Sequence, residues 1–260
     1  MALTYGKYLR LEELLGAQQP LSEGPEHDEL LFIVIHQVYE LWFKQILHEL
    51  DRLGEVLELG DTHHALAGLK RILTILKTLV GQVDILETMT PTSFSSFRAR
   101  LETASGFESA QFRMVEFALG HKRESALTHY AVDSSERAQL AKRMQTRSLW
   151  DSFARYLTQL GYEVPHEVLM RDVRAPIVAD EAMQVLLLSI YRRDALTAQV
   201  CERLVDLDEG LQEWRYRHVK MVERTIGEKA GSGGSSGAGY LRSTLFRPLF
   251  PDLWAIRVQL

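Results

Sequence analysis

Apolar residues recur along this chain at steps of three and four, the period of a helix with one buried face. Phe32, Ile35, Tyr39, Trp42, Phe43, Ile46, Leu50, Leu53 and Leu57 predict one long helix over 26–59. Its start, LLFIVI from Leu30 to Ile35, is apolar on every side, which predicts burial at the centre of a bundle. Glu40 and Lys44 form an i,i+4 pair suited to a more exposed flank. Leu66, Leu69, Ile72, Leu73, Leu76, Leu79, Val83 and Leu86 predict a second helix over 62–88, with Gly60-Asp61 as stop and N-cap. So short a connection predicts antiparallel neighbours. Thr90-Pro91-Thr92-Ser93 reads as a turn, followed by helical pieces near 94–102, 108–119, 134–145 and 147–159. The stretch 161–179, with Pro165 and Pro176, reads as a loop; 180–191 and 194–226 are again helical, the latter bent near Gly210. No strand-period alternation and no fixed repeat stand out, so the expected class is all-α, a bundle of long antiparallel helices.

Composition supports this picture. The seven prolines leave 26–90, 92–164 and 177–247 free of helix breakers in a chain of 260 residues. One low-complexity stretch, GEKAGSGGSSGAG over 227–239, holds six of the 17 glycines. Only 21 residues follow it, too few for a second domain, so it is expected to fold back as part of one domain spanning 1–260. Cys201 is the single cysteine, which excludes an internal disulfide, a thiolate zinc cluster and an iron–sulfur centre in one chain and favours a reducing, cytoplasmic compartment. A net charge of −5 gives no sign of nucleic-acid binding. The N-terminal stretch is amphipathic, without the apolar core of a signal peptide, and no run of 18 uncharged apolar residues predicts a membrane span.

Candidate chemistry centres on histidine. No HExxH or HxxxH pair occurs among the nine histidines. His63 and His64 are adjacent, do not share a helix face, and read as surface residues. His36 sits on the most apolar segment; it is either a satisfied core histidine or a hydrogen-bonding group facing an apolar cavity. His218, in EWRYRHVKMVER, lies either on a solvated basic face or beside the glycine stretch as a haem or metal ligand, since haem iron needs only one protein ligand. The glycine stretch fails the nucleotide P-loop pattern, because Lys229 precedes the glycines. Its bare N–H groups with Ser232, Ser235 and Ser236 suit an anion, or form a plain surface loop. Arg98 has the guanidinium that grasps carboxylates bidentately. Ser105, with Glu108 three residues on, has the spacing of a capping box.

LTYGKYLRLEELL, HDELLFIVIHQVYELWFKQILHELD, FRARLETASGFESAQFR, WRYRHVKMVERTIGEKAGSGGSSGAGYLR and FPDLW together resemble the tryptophan 2,3-dioxygenase family, in the family's order and over Leu3 to Trp254. The resemblance implies a helical homotetramer with one haem b per subunit. It implies insertion of O2 across the indole C2–C3 bond of L-tryptophan to give N-formyl-L-kynurenine, with no membrane or nucleic-acid partner. By position, His218 matches the axial ligand of the haem iron. His36 matches a distal histidine toward the indole N–H, and Phe32 a residue packing on the indole. Arg98 matches the group that binds the substrate carboxylate. Ser232 falls in the glycine loop near the substrate ammonium and carboxylate, Gly231 and Ser105 match cofactor-binding positions, Ser105 near the haem edge, and Tyr5, Tyr8 and Leu9 fall among residues lent to a neighbouring subunit's pocket. Three positions depart from the family pattern: Ser232 stands for threonine, Phe94 for tyrosine and Glu108 for glutamine. They leave open a relative acting on a substituted tryptophan, giving an oxindole by insertion of one oxygen. A sensor that binds without turnover, and a bundle without cofactor, are the other classes to separate.

Overall fold

A computed structural model describes residues 2–24, 26–102, 104, 106–229 and 238–260. Among them no strand occurs; the chain is helical, as its periodicity predicts. Two short helices, α1 (Tyr5–Leu9) and α2 (Leu11–Leu15), lead the chain and bury none of their residues. The loop after them is tied to the next helix by Glu29, whose carboxylate accepts the backbone N–H of Leu21 at 2.7 Å and of Ser22 at 3.0 Å.

The long helices fall where the apolar period puts them. Helix α3 (His27–Glu58) and helix α4 (Thr62–Leu86) pack together, joined at Gly60, whose φ of +75° suits a residue without a Cβ. Asp61 caps α4 by accepting His64 N–H at 3.1 Å. In α3 the second half is the buried part, with Leu53, Val56 and Leu57 almost fully covered. Its first half departs from expectation: Leu30, Val34 and Leu41 stay exposed among the described residues. This helix is long and apolar enough to cross a membrane by length and composition alone, yet it packs on α4 and on two helices described next.

Helix α5 (Pro91–Phe97) starts earlier than expected, inside the predicted turn. Thr90 caps it and Pro91 fills its first position, where a missing N–H costs nothing; a 3₁₀ turn, Arg98–Leu101, continues it. Helix α6 (Ala110–Ala118) is capped by Ser109, which accepts Phe112 N–H at 3.1 Å, so the start expected from Ser105 and Glu108 moves along the chain. A 3₁₀ turn over Glu124–His129 leads to α7 (Ser135–Gln145) and α8 (Leu149–Gln159), the latter closed by a reciprocal Ser148–Asp151 capping box. Helices α6 and α8 are the two further partners of α3. The predicted loop 161–179 contains one helical turn, α9 (His166–Leu169). Buried Lys122 anchors this region by donating to the carbonyls of Met144, Thr146 and Val173.

Helix α10 (Glu181–Arg193) leads into α11 (Ala195–Ile226), which runs unbroken through Gly210. The expected interruption or bend is absent, because α11 packs along α4 through this stretch, where a Cβ at Gly210 would make ordinary contact with Leu76 Cδ1 at 3.5 Å. Beyond α11 lie α12 (Ala238–Arg242) and α13 (Pro251–Ala255), then a 3₁₀ turn to Gln259. Buried Asp208 on α11 clasps this tail, accepting Leu249 N–H at 2.7 Å and Trp254 Nε1–H at 2.8 Å.

Candidate functional site

A cavity of about 1670 Å³, counting its open mouth, lies between α3, α4, α5, α6, α11 and α12. Phe32, His36, Phe94, Arg98 and His218, all chosen from the sequence, line it together. Tyr5, Tyr8 and Leu9 do not: they are exposed on the leading helices of this single chain. Ser105, Gly231 and Ser232 lie outside the described residues.

One wall is an aromatic slot. Phe32 sits one turn before His36, with ring centroids 4.0 Å apart, and the rings of Phe32, Phe94 and Phe97 stand 5.5–5.8 Å from one another. The fully buried Phe97 pins the end of α5, which places the next residue, Arg98, on the cavity. His36 Nδ1 lies 2.7 Å from the Phe32 carbonyl. A carbonyl can only accept, so Nδ1 carries the proton and Nε2 keeps its lone pair. Burial moves the His36 pKa below its usual 6.5 and so favours the neutral form, outweighing the Phe32 bond, which by itself raises the pKa.

The facing wall is α11. The His218 imidazole lies nearly parallel to the Trp214 indole one turn earlier, at 5.3 Å and 10°. Burial, helped by His36 and Arg113, brings the His218 pKa down to about 4. Its ring is therefore neutral near pH 7, with a lone pair to give a metal.

The third side carries buried charge. Glu116 on α6 is 2 % exposed and accepts from Arg113 at 2.6 Å, Arg123 at 2.8 Å and Arg215 at 2.9 Å. Burial would raise its pKa, but the three guanidiniums prevail and hold it at about 2. Arg215 also reaches His121 Nδ1 at 3.2 Å, a ring whose pKa burial lowers to about 4. Nearby, Glu40 does not sit on an exposed flank: it lines the cavity and its carboxylate takes the Gln111 side-chain N–H at 2.9 Å.

Sequence reasoning missed Glu40, Ser109, Arg113, Glu116, Trp214 and Arg215 as cavity residues. A usable signal was present in QFRMVEF, where Arg113 and Glu116 recur three apart on a helix otherwise apolar, the spacing of a paired and buried stripe.

No group of three or more His, Cys, Asp or Glu able to hold a bare metal ion occurs among the described residues. A flat macrocycle with anionic arms fits the chemistry present: a large space with apolar walls, a neutral imidazole on each of two facing walls, and guanidiniums at one side.

Comparison with known proteins gives one family. Residues 1–159 and 163–260 match the family described as tryptophan 2,3-dioxygenase. A protein of that description from Herpetosiphon aurantiacus is 62% identical over 260 residues, covering 100% of this chain and 99% of its own length. Another, from Anaeromyxobacter dehalogenans, is 61% identical over 258 residues, covering 98% of this chain and 96% of its own. A third, from Kineococcus radiotolerans, is 46% identical over 261 residues, with 99% and 91% covered.

Proposed function

Since this chain belongs to the tryptophan 2,3-dioxygenase family, a haem-dependent group of oxidoreductases, we propose that its cavity is the site where tryptophan and O2 react. The observation that carries the assignment of residues is the convergence of His36 from α3, Arg98 from the end of α5 and His218 from α11 on one space. The product is N-formyl-L-kynurenine, from cleavage of the indole C2–C3 bond. The chain works as one domain, in the cytoplasm, and in the ferrous state of a b-type haem.

Each residue has a physical task. His218 gives its lone pair to the haem iron. When bound, the haem supplies a site for binding and activating O2. The slot of Phe32 and Phe94 covers the indole faces and excludes water. His36 Nε2 accepts the indole N–H, because its Nδ1 proton is already committed to Phe32. That bond orients the ring and needs no strong base. Arg98 pairs with the substrate carboxylate. By the family match, Ser232 would offer its hydroxyl to the charged end of the amino acid, and Gly231 and Ser105 would bind the haem. Tyr5, Tyr8 and Leu9 complete the pocket of a neighbouring subunit in a homotetramer, in keeping with their exposure here. Phe94 brings no hydroxyl to the slot.

The test is anaerobic reduction of the haem-loaded protein, addition of L-tryptophan, then O2, with the product mass recorded. Gain of two oxygen atoms is expected. Gain of one identifies an oxindole-forming relative, and no product from the ferrous protein identifies a sensor. The same assay checks Arg98. Arg98→Ala is expected to weaken substrate binding by about 2–5 kcal/mol, at least a roughly 30-fold rise in KM, the cost of leaving a buried carboxylate unpaired. An unchanged KM would place the carboxylate elsewhere.

A further inference from the structure

A histidine that ligates a metal usually gives its second ring N–H to a carboxylate, a carbonyl or water, and that bond fixes the ring's rotation. On the other side of the cavity His36 follows this habit, held by the Phe32 carbonyl at 2.7 Å. His218 does not. Among the described residues no hydrogen bond reaches its imidazole; what touches it is an aromatic face. The Trp214 indole lies 5.3 Å from it at 10°, one helical turn earlier on α11.

The indole is itself immobilised from three directions. Phe112 of α6 lies 4.8 Å away and tilted, Phe43 of α3 stands 6.1 Å away at 89°, and Tyr39 of α3 is 6.3 Å away at 64°. Trp214 is 8 % exposed, so the whole assembly is packed. Rotation of the His218 ring about its Cβ–Cγ bond would drive it out of the stack and against the indole. The plane of the imidazole is thereby set by α3 and α6 through Trp214.

We propose that Trp214 is a positioning residue for the haem ligand: its indole face sets the rotation of the His218 ring. This rests on His218 being the iron ligand. The consequence is that the imidazole would present one orientation to a haem bound in the cavity.

The experiment compares Trp214→Phe and Trp214→Leu with the unaltered haem-loaded protein. Phenylalanine keeps an aromatic face; leucine keeps apolar bulk without one. Circular dichroism establishes that each variant is folded. The readouts are the iron–histidine stretching band of the ferrous protein by resonance Raman, the ferric/ferrous midpoint potential, and haem affinity from the Soret band. Expected for Trp214→Leu are a broadened, displaced band, an altered potential and a loss of roughly 10-fold in haem affinity, the range for a group supporting a metal ligand. Trp214→Phe is expected to retain most of the original band. A folded Trp214→Leu protein with band and potential unchanged, melting earlier and nothing more, would overturn the proposal. Should Trp214→Leu fail to fold, a Trp214→Phe band as broad as that of a freely rotating imidazole overturns it, and an unmoved one upholds it. An unaltered protein without any iron–histidine band overturns instead the assignment of His218, and the proposal with it.

Discussion

Replacing His218 with glycine is expected to abolish retention of haem and, with it, tryptophan oxidation. Among the described residues no second imidazole lines the cavity from α11, and the guanidiniums of Arg113 and Arg215 stay protonated and cannot ligate iron. The protein's hold on the group then falls back on apolar contact with the walls and ionic contact at one side. A drop of at least ~100-fold in haem affinity is expected, beyond the range for a group that merely supports a ligand. The fold should survive, because the His218 imidazole faces the cavity and no hydrogen bond to another helix depends on it. The measurement is Soret absorbance after dialysis against haem-free buffer, with circular dichroism as the control. Glycine leaves a space the size of the lost ring, so added imidazole should restore part of the band. A normal Soret spectrum without imidazole would sink the assignment.

The second large effect concerns stability. Glu116→Gln removes the one carboxylate that three guanidiniums share, leaving Arg113 and Arg215, each less than 7 % exposed, as buried cations without it. Breaking a buried pair from one side costs about 3–5 kcal/mol, because the remaining charge stays desolvated. The same cluster makes stability depend on acid. The Glu116 pKa is held at about 2 in the folded protein, below the 4.5 of an unperturbed glutamate. Its contribution is therefore complete above about pH 4.5 and is lost as pH falls through about 2, since the unfolded chain takes up the proton first. Thermal melts at pH 7 and pH 3 check both statements. The unaltered protein should lose more melting temperature on acidification than Glu116→Gln does. Equal losses would show that the cluster does not carry the acid sensitivity.

The two largest helices were legible from spacing because each buries one stripe over many turns, so errors at single residues average out. Positions decided by a single contact were not. Gly210 read as a break or bend, since glycine is poor in helices; one glycine costs only about 1 kcal/mol, and the packing of α11 on α4 outweighs it. Ser105 and Ser109 both precede a helix, and only the hydrogen bond from Phe112 N–H picks the second. The site divides the same way. His36 and His218 each had two readings, because the period of one helix cannot reveal what the opposite helix leaves open. Family resemblance chose between them, and the cavity brings the two residues to one space. Glu116 escaped notice for a related reason: a buried charge is affordable only with partners, and Arg215 stands far off in sequence on another helix.

The clasp made by Asp208 has a consequence for the segment that carries Leu241 and Thr244 to the cavity. That segment leaves α11 after Ile226 and is tied back to α11 at Leu249. Both of its ends are thus fixed to one helix, and it is a closed loop rather than a free tail. The entropy of closing such a loop is lost once, when the tail folds, and grows only with the logarithm of its length: doubling it adds about 0.6 kcal/mol. Substrate binding does not have to bring the ends together again. Opening the clasp at Asp208 should therefore release one of those two ends, and the closure would no longer be complete in the folded protein.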